Sequence, residues 1–384
     1  MVSANTAYVG TSPLAVNTCI HKEFGIALAP ARLRGTLAPV AAERNGQAKA
    51  GKMVWWYAIL WLAIAGPTLG PAFAQCAGHN LIDQLPADQR SVLDDLVSAT
   101  RYHDGNLWHA EKPGSRIDLV GTLHLYDPRM VVMMNRIGPL VDQADLVLVE
   151  AGPQEMAALQ KAATTDPKLL FRPDGPTLPE QLSKAEWKAL SAELSARGVP
   201  PFLGSKFQPW YVAMLLGLPA CAATQLAEGP KGLDDLVMQR AKAAGVPVKA
   251  LEPYDTVFRL FAGMDGAEQI DMIRTALAMA QGADDAFATM IDSYFAGQHR
   301  LIWEFTRMQA NAAPGLAPGR AAADFAVMEQ ALLIGRTVPW MDVLLPAAQG
   351  KHVLVAVGAA HLSGEQGLLS LLAKQGYTLT KGDL

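Results

Sequence analysis

Five short apolar runs lie beyond residue 115, each four to seven residues long, and longer amphipathic stretches separate them. Runs that are apolar at nearly every position are typical of strands buried on both faces of a parallel sheet. The stretches between them repeat apolar residues at helical spacing. The pattern therefore predicts an α/β (α+β) fold with a parallel-rich central sheet and flanking helices. The predicted strands are residues 116–121, 144–150, 246–252, 352–358 and 377–380.

The clearest helical stretch, residues 182–200, begins with the side chains of a capping box, Ser183 and Glu186. Such a box marks the first turn of a helix, because each side chain accepts a hydrogen bond from a backbone amide of the other residue. The other predicted helical tracts are residues 265–310 and 320–349, with a loop rich in Pro and Gly at 311–319 between them.

The arrangement of these elements predicts one domain. Residues 232–253 combine an amphipathic helix, a break at Gly245, a strand and a proline stop, which together make an αβ unit. No low-complexity linker or tandem repeat divides residues 75–384. We therefore expect a single domain that carries a large helical insertion at about residues 154–245, rather than two domains.

The N-terminal region has the organisation of an export signal. Two lysines precede an apolar run of about a dozen residues, and the cleavage-type sequence Ala72-Phe73-Ala74 follows it. We interpret residues 53–74 as a signal peptide, with a retained membrane anchor as the alternative. We then expect that residues 1–52 are not part of the translated or mature protein. The prediction is a periplasmic or secreted protein with no stable membrane insertion after cleavage.

The composition restricts the class of protein. The chain is 51% hydrophobic and 18% charged, which is the opposite of the balance in a disordered chain. Its formal net charge is −4, and it contains no basic run with interleaved aromatic residues. We therefore expect a globular protein that has no nucleic-acid partner.

Three cysteines occur, at positions 19, 76 and 221. If Cys19 is absent from the mature chain, the two that remain reach an oxidising compartment. We predict a disulfide between Cys76 and Cys221, with two buried free thiols as the alternative.

Chemistry-bearing residues follow four of the predicted strands. Gly121-x-x-His124 and Gly358-x-x-His361 each end an apolar run, and Glu150 and Glu252 end two others. In open α/β sheets, ligands bind in the crevice outside the carboxyl ends of the strands. A single Gly-x-x-His is most simply a structural turn, but two histidines and two glutamates at one edge indicate a metal or acid–base site.

Several other polar or sulfur-containing stretches are interpreted as structural. His103 and His109 are expected in a loop before the first strand. The Met/Val stripe at residues 130–137 is expected to form a helix that faces the core. Ser363 lacks the sequence of a nucleophile elbow and is expected to cap the last helix.

The stretches "LVGTLHLYDPR", "VLVEAG", "GLDDLVMQRAKAAGVPVKALEPYDT" and "VAVGAAHLSGEQGLLSLLAKQGY" resemble the TraB/GumN family. That family is related to the Tiki metalloproteases and, more remotely, to erythromycin-esterase and ChaN-like proteins. The resemblance covers roughly residues 79–382 and implies an α/β fold with a helical insertion.

The resemblance also implies a site. It matches His124 and His361 to the two motif histidines and Glu150 to the acidic residue that ends a neighbouring strand. These three would bind a divalent metal ion (Mn, Co or Zn), with Glu252 as an outer ligand. By the same resemblance Arg336 is a catalytic residue, with a helix-surface or ion-pairing residue as the alternative. Thr337 stands where such proteins commonly carry asparagine.

We therefore expect an exported, metal-dependent hydrolase of the metallopeptidase type that acts on a peptide or on a small-molecule ester or amide. Water activated by the metal would attack the carbonyl, and Arg336 would stabilise the oxyanion. One alternative is a non-catalytic envelope protein that binds a metal, haem or a small molecule. Another, an accessory factor in polysaccharide production, rests on the family name alone.

Overall fold

The computed structural model of the protein describes residues 76, 78–223, 232–312, 326 and 329–384. The predicted signal peptide and the residues before it lie outside the described part of the chain. So do most of the predicted loop at 311–319 and the first residues of the predicted tract at 320–349.

The six strands form one sheet in the order β4-β3-β5-β2-β1-β6. In chain order they are β1 (Leu107–Lys112), β2 (Ser115–Thr122), β3 (Leu146–Val149), β4 (Val248–Ala250), β5 (His352–Gly358) and β6 (Thr378–Lys381). The central pairs β2–β5, β5–β3 and β3–β4 are parallel, whereas β1 is antiparallel to both β2 and β6. The predicted α/β class with a parallel-rich sheet is confirmed.

All five predicted strands are present, although β4 has only three residues. The structure adds β1, which includes His109, so the expectation that this residue lies in a loop was wrong. A tight turn at Pro113-Gly114 joins β1 to β2, and Gly114 adopts the left-handed φ of 74° that favours glycine. Only three of the six residues of β1 are buried and its sequence includes His109, Glu111 and Lys112, so it lacks the continuous apolar run used to find the others.

Helices cover the sheet and fill most of the rest of the described residues. In chain order the α-helices are α1 (Ala87–Ser98), α2 (Met130–Gln143), α3 (Pro153–Thr165), α4 (Leu178–Gln181), α5 (Lys184–Ala196), α6 (Pro201–Gly204), α7 (Pro209–Leu216), α8 (Leu233–Ala244), α9 (Thr256–Ala262), α10 (Gly266–Met279), α11 (Ala283–Phe295), α12 (His299–Ala312), α13 (Gly335–Ala348) and α14 (Leu368–Lys374). The predicted capping box begins α5, where the Glu186 amide donates to Ser183 Oγ at 3.2 Å.

Both faces of the sheet are buried, which explains why its central strands are apolar at nearly every position. On one face Val120 and Leu354 pack with α2 and α8, and on the other Leu119 and Val355 pack with α13 and α14. A third apolar cluster joins α3, α5, α7, α9 and α10. Met130, inside the predicted Met/Val stripe, is fully buried, so α2 is a core helix as expected.

The last helix is capped differently from the prediction. Gly367, not Ser363, is the N-cap residue of α14. Ser363 is buried instead in the turn that follows His361. Within the described ranges, no helix has both the length and the apolar character required to cross a bilayer.

Candidate active site

Three neighbouring parallel strands end at one edge of the sheet. Thr122 at the end of β2 pairs with Gly358 at the end of β5, and β3 ends beside them. The residues of the predicted centre come directly after these strands. His124 lies two residues after β2, Glu150 lies one residue after β3, and His361 is the last residue of the 3-10 turn after β5. All three side chains are buried. The sheet therefore brings the two motifs and the glutamate to the same place.

The glycines of the two motifs have different functions in this arrangement. A Cβ atom on Gly121 would lie only 2.9 Å from Leu362 Cδ1 and 3.0 Å from Ala359 Cβ, so the first motif packs directly against the second. The amide of Gly358 donates to Glu150 Oε1 at 2.6 Å. Gly121 thus permits the close approach, and Gly358 holds the carboxylate.

Arg336, from the first turn of α13, lies between two carboxylates. Its Nη2 donates to Glu150 Oε2 at 2.7 Å, and its Nε donates to both carboxylate oxygens of Glu252 at 3.1 Å. Trp340, one turn later on the same helix, donates from Nε1 to Glu252 Oε2 at 2.9 Å. Glu252 is thereby fixed against α13, with Arg336 between it and the centre.

The two carboxylates have different proton affinities. Burial would raise the pKa of Glu150, but the charge of Arg336 and the Gly358 amide lower it to about 2. For Glu252, burial raises the pKa, the negative charge of Glu150 adds to this, and Arg336 opposes it. At neutral pH, Glu150 is therefore the firmly ionised member of the pair.

The segment before α13 fixes the position of the first residues of that helix. Residues Glu329–Ile334 form a π-helix, an element that often occurs at functional sites. A Cβ atom on Gly335 would lie 2.8 Å from the Gln330 carbonyl oxygen, so a side chain there would force this turn to shift. The turn sends both Arg336 and Thr337 into the buried site, where each is under 5% exposed.

His361 is held on both sides of its ring. Thr337 Oγ1 lies 2.6 Å from Nδ1, and Glu150 Oε1 lies 3.8 Å from Nε2. The ring also contacts the indole of Trp340, with 4.4 Å between centroids. Burial lowers the pKa of His361 to about 3, so the imidazole is neutral at physiological pH.

His124 has a carboxylate partner of its own. Its Nδ1 lies 3.3 Å from Oδ2 of Asp234, a buried residue at the second position of α8. His124 is also electrostatically coupled to Glu150 and His361, so it belongs to the same cluster.

A cavity of about 270 Å³ reaches this cluster from the side of the second motif. His361 and Thr337 form part of its wall, and side chains of both charge signs, Arg300 and Glu329 among them, line the remainder. The cavity therefore lies next to the second motif, while the His361 side chain itself is fully buried.

A comparison with models of known protein families gives a match. The model of the TraB/PrgY/gumN family matches residues 106–381, more than half of the chain. The protein belongs to this family. No curated protein and no solved structure is significantly similar to the chain.

The TraB/PrgY/gumN match includes every predicted site residue. His124, Glu150, Glu252, Arg336 and His361 all lie within it, and the structure gathers all five at the carboxyl edge of the sheet. Glu252 contacts Arg336, and no contact between Glu252 and either histidine is among the hydrogen bonds and ion pairs of the described residues.

Sequence reasoning did not assign a role in the candidate site to three residues that the structure places there. Asp234 was visible only as a polar residue near the start of a helix. Thr337 was noted as a departure from the family pattern, although its hydroxyl bonds His361. Trp340 could have been found from its spacing, because a residue four positions after Arg336 lies on the same face of a helix.

Proposed function

We propose that the protein is an exported hydrolase of amide or ester bonds whose centre is formed by His124, Glu150 and His361, with a divalent metal ion as cofactor. The observation that carries this proposal is the meeting of both Gly-x-x-His motifs and Glu150 at one buried edge, with Arg336 beside them. Clusters of buried titratable groups with perturbed pKa values are typical of catalytic sites.

The donor set suits a metal such as Mn, Co or Zn. Imidazole nitrogen and carboxylate oxygen are ligands of all three. The 3.8 Å between His361 Nε2 and Glu150 Oε1 is compatible with one ion at about 2.1 Å from each atom. Each histidine also has a polar group at Nδ1, the position that outer partners of metal ligands occupy.

One observation limits the metal proposal. In the described part of the chain, no three His, Cys, Asp or Glu side chains are already grouped around a metal position. Binding would therefore require the side chains of the centre to move closer together around the ion. Because Glu252 is held by Arg336 and Trp340, it would act only as an outer ligand.

The residues themselves supply most of the proposed chemistry. Glu150 stays ionised because of Arg336, and neutral His361 can bind a metal ion at Nε2. Arg336 keeps a fixed positive charge in a buried site, where it would stabilise negative charge that develops on the substrate. A bound metal would lower the pKa of water and polarise the carbonyl.

The disulfide supports the proposal of export. Cys76 and Cys221 are joined, with a Cα–Cα distance of 5.6 Å. Disulfides of this structural kind persist in oxidising compartments such as the periplasm and are rare in the cytosol.

The experiment is a metal analysis of the protein recovered from the periplasm of a host that expresses the full chain. Wild type is compared with a His124→Ala/His361→Ala double variant and with His79→Ala, which removes an exposed histidine outside the site. We expect about one divalent ion per chain in wild type and in His79→Ala. We expect none in the folded double variant.

The same samples are then tested on peptide and ester libraries. Turnover that needs the metal and both histidines supports the proposal. If wild type binds no metal and added Mn, Co or Zn does not stabilise it against heat, the metallohydrolase proposal fails.

A second function, non-catalytic ligand binding, is favoured by a different observation. An apolar cavity of about 430 Å³ lies next to the first motif, lined by Leu125, Phe287 and Phe305 among others. Such a volume is typical of sites for small apolar ligands. A protein that retains metal or a small molecule but hydrolyses no member of the libraries would fit this function instead.

A further inference from the structure

Asp234 lies outside both motifs, yet it faces the first motif histidine. It is 1% exposed, and its Oδ2 lies 3.3 Å from His124 Nδ1. Its negative charge also raises the pKa of Tyr294, after the larger effect of burial. Tyr294 in turn donates its hydroxyl hydrogen to the carbonyl oxygen of Gly121 at 2.9 Å. Asp234 is therefore one of several buried groups built around the first motif.

The backbone before α8 explains how Asp234 reaches this position. A Cβ atom on Gly232 would lie 2.2 Å from the Leu123 carbonyl oxygen and 2.5 Å from His124 Cα. The amide of Leu233 donates to that same carbonyl at 2.9 Å. Only glycine lets the start of α8 press against the backbone of the first motif, and this fixes Asp234 next to the imidazole. The first turn of a helix also favours a carboxylate electrostatically.

The two histidines consequently have different partners at Nδ1. A carboxylate can only accept, so Asp234 favours the tautomer of His124 that carries its proton on Nδ1. A hydroxyl can donate or accept, so Thr337 is compatible with either tautomer of His361.

We propose that Asp234 is the positioning residue of His124: it holds the ring through Nδ1 and leaves the lone pair of Nε2 for the centre. The proposal rests on the proposed function in so far as that function makes His124 a site residue. A carboxylate in this place orients the ring and increases its basicity, whether the ring accepts a proton or binds a metal.

The test reads the tautomer directly, without substrate or metal. Metal-free protein carrying ¹⁵N-labelled histidine is measured by long-range ¹H–¹⁵N correlation at one fixed pH where imidazoles are neutral. The His124 signals are those that disappear in His124→Ala. We expect the Nδ1–H tautomer for His124 in wild type. The Nε2–H tautomer in wild type would overturn the proposal.

Two variants separate positioning from a general structural role. Asp234→Asn keeps the shape of the side chain, and we expect its His124 signals to move toward the Nε2–H tautomer while the other histidines are unchanged. Asp235→Asn, the next carboxylate on the same helix, should leave His124 as in wild type. A folded Asp234→Asn protein with an unaltered His124 tautomer overturns the proposal. If that variant does not fold, the wild-type tautomer alone decides the question.

The result is independent of hydrolase activity, because no turnover is measured. Once a substrate is known, Asp234→Asn should reduce kcat by about 10- to 100-fold, the usual effect of removing an outer partner, with KM nearly unchanged.

Discussion

At the scale of single residues, Arg336 is the group on which the site depends. One guanidinium contacts both Glu150 and Glu252 and lowers the pKa of each carboxyl, to about 2 for Glu150, whereas for Glu252 burial outweighs it and the pKa stays raised. Two carboxylates without this cation would repel each other, and one would take up a proton. The arginine therefore helps to keep an ionised glutamate beside a neutral histidine, a combination that suits metal binding.

Thr337 can be tested at the same scale. Thr337→Val keeps the volume but removes the hydroxyl that bonds His361 Nδ1 at 2.6 Å. Because a buried nitrogen then lacks this bond, we expect the free energy of unfolding in urea to fall by about 1–3 kcal/mol. Thr337→Ser keeps the hydroxyl and should retain that bond. Equal stability of the Val variant and wild type would show that this hydrogen bond contributes little.

At the scale of elements, the close packing of β2 against the turn after β5 makes a second prediction. Gly121→Ala would place a methyl group 2.9 Å from Leu362 Cδ1, and the two motifs would have to separate. Overpacking of this kind destabilises proteins by about 1–3 kcal/mol. We expect a loss in that range from urea denaturation, together with reduced metal binding if the centre holds a metal.

Gly266→Ala is the matched control for this prediction. Gly266 is the first residue of α10, and a Cβ atom there would meet no atom within 4 Å. Alanine fits this position without strain and reduces the freedom of the unfolded chain, so this variant should be at least as stable as wild type, with a gain of up to about 1 kcal/mol. If Gly121→Ala were as stable as the control, the close approach of the motifs would not require glycine.

The elements that the sequence predicted well are those with a strong local signal. The continuous apolar runs located β2, β3 and β5, and with them the positions of His124, Glu150 and His361 at one edge. β1 was missed because only part of it is buried, and Ser363 was misassigned because cap residues depend on where the helix starts. Nothing in the sequence around Asp234 indicates its role, because α8 meets the first motif only in the folded chain.

At the scale of the whole molecule, the sheet carries a second charged cluster away from the candidate site. Asp118 of β2 is fully buried and lies 2.6 Å from His109 Nδ1 on β1 and 2.7 Å from His352 Nε2 on β5. Arg116, two residues earlier on the same strand, approaches it at 3.3 Å. This cluster links side chains of three adjacent strands by hydrogen bonds and ion pairs. The ionisation of Asp118 should therefore affect the stability of the entire domain.

The pH dependence of that stability follows from the direction of the shift. Burial would raise the pKa of Asp118, but its bonds to His109 and His352 and the charge of Arg116 lower it below the ordinary value of 3.8. The folded state then binds the proton less readily than the unfolded state. The stabilisation is therefore complete above about pH 4, the ordinary pKa of Asp, and is lost as the pH falls through the lower pKa of the folded state.

Asp118→Asn should accordingly reduce the free energy of unfolding at pH 7 by about 1.5–3 kcal/mol, the range for hydrogen bonds to a charged group. Urea denaturation at pH 7, 5 and 3 should give a smaller difference from wild type at pH 3 than at pH 5. Asp174→Asn, at an exposed position, should change stability by less than about 0.5 kcal/mol throughout. A difference for Asp118→Asn that stays constant or grows toward pH 3 would mean that the carboxylate is not held ionised by its neighbours, and that the three strands are joined here by packing alone.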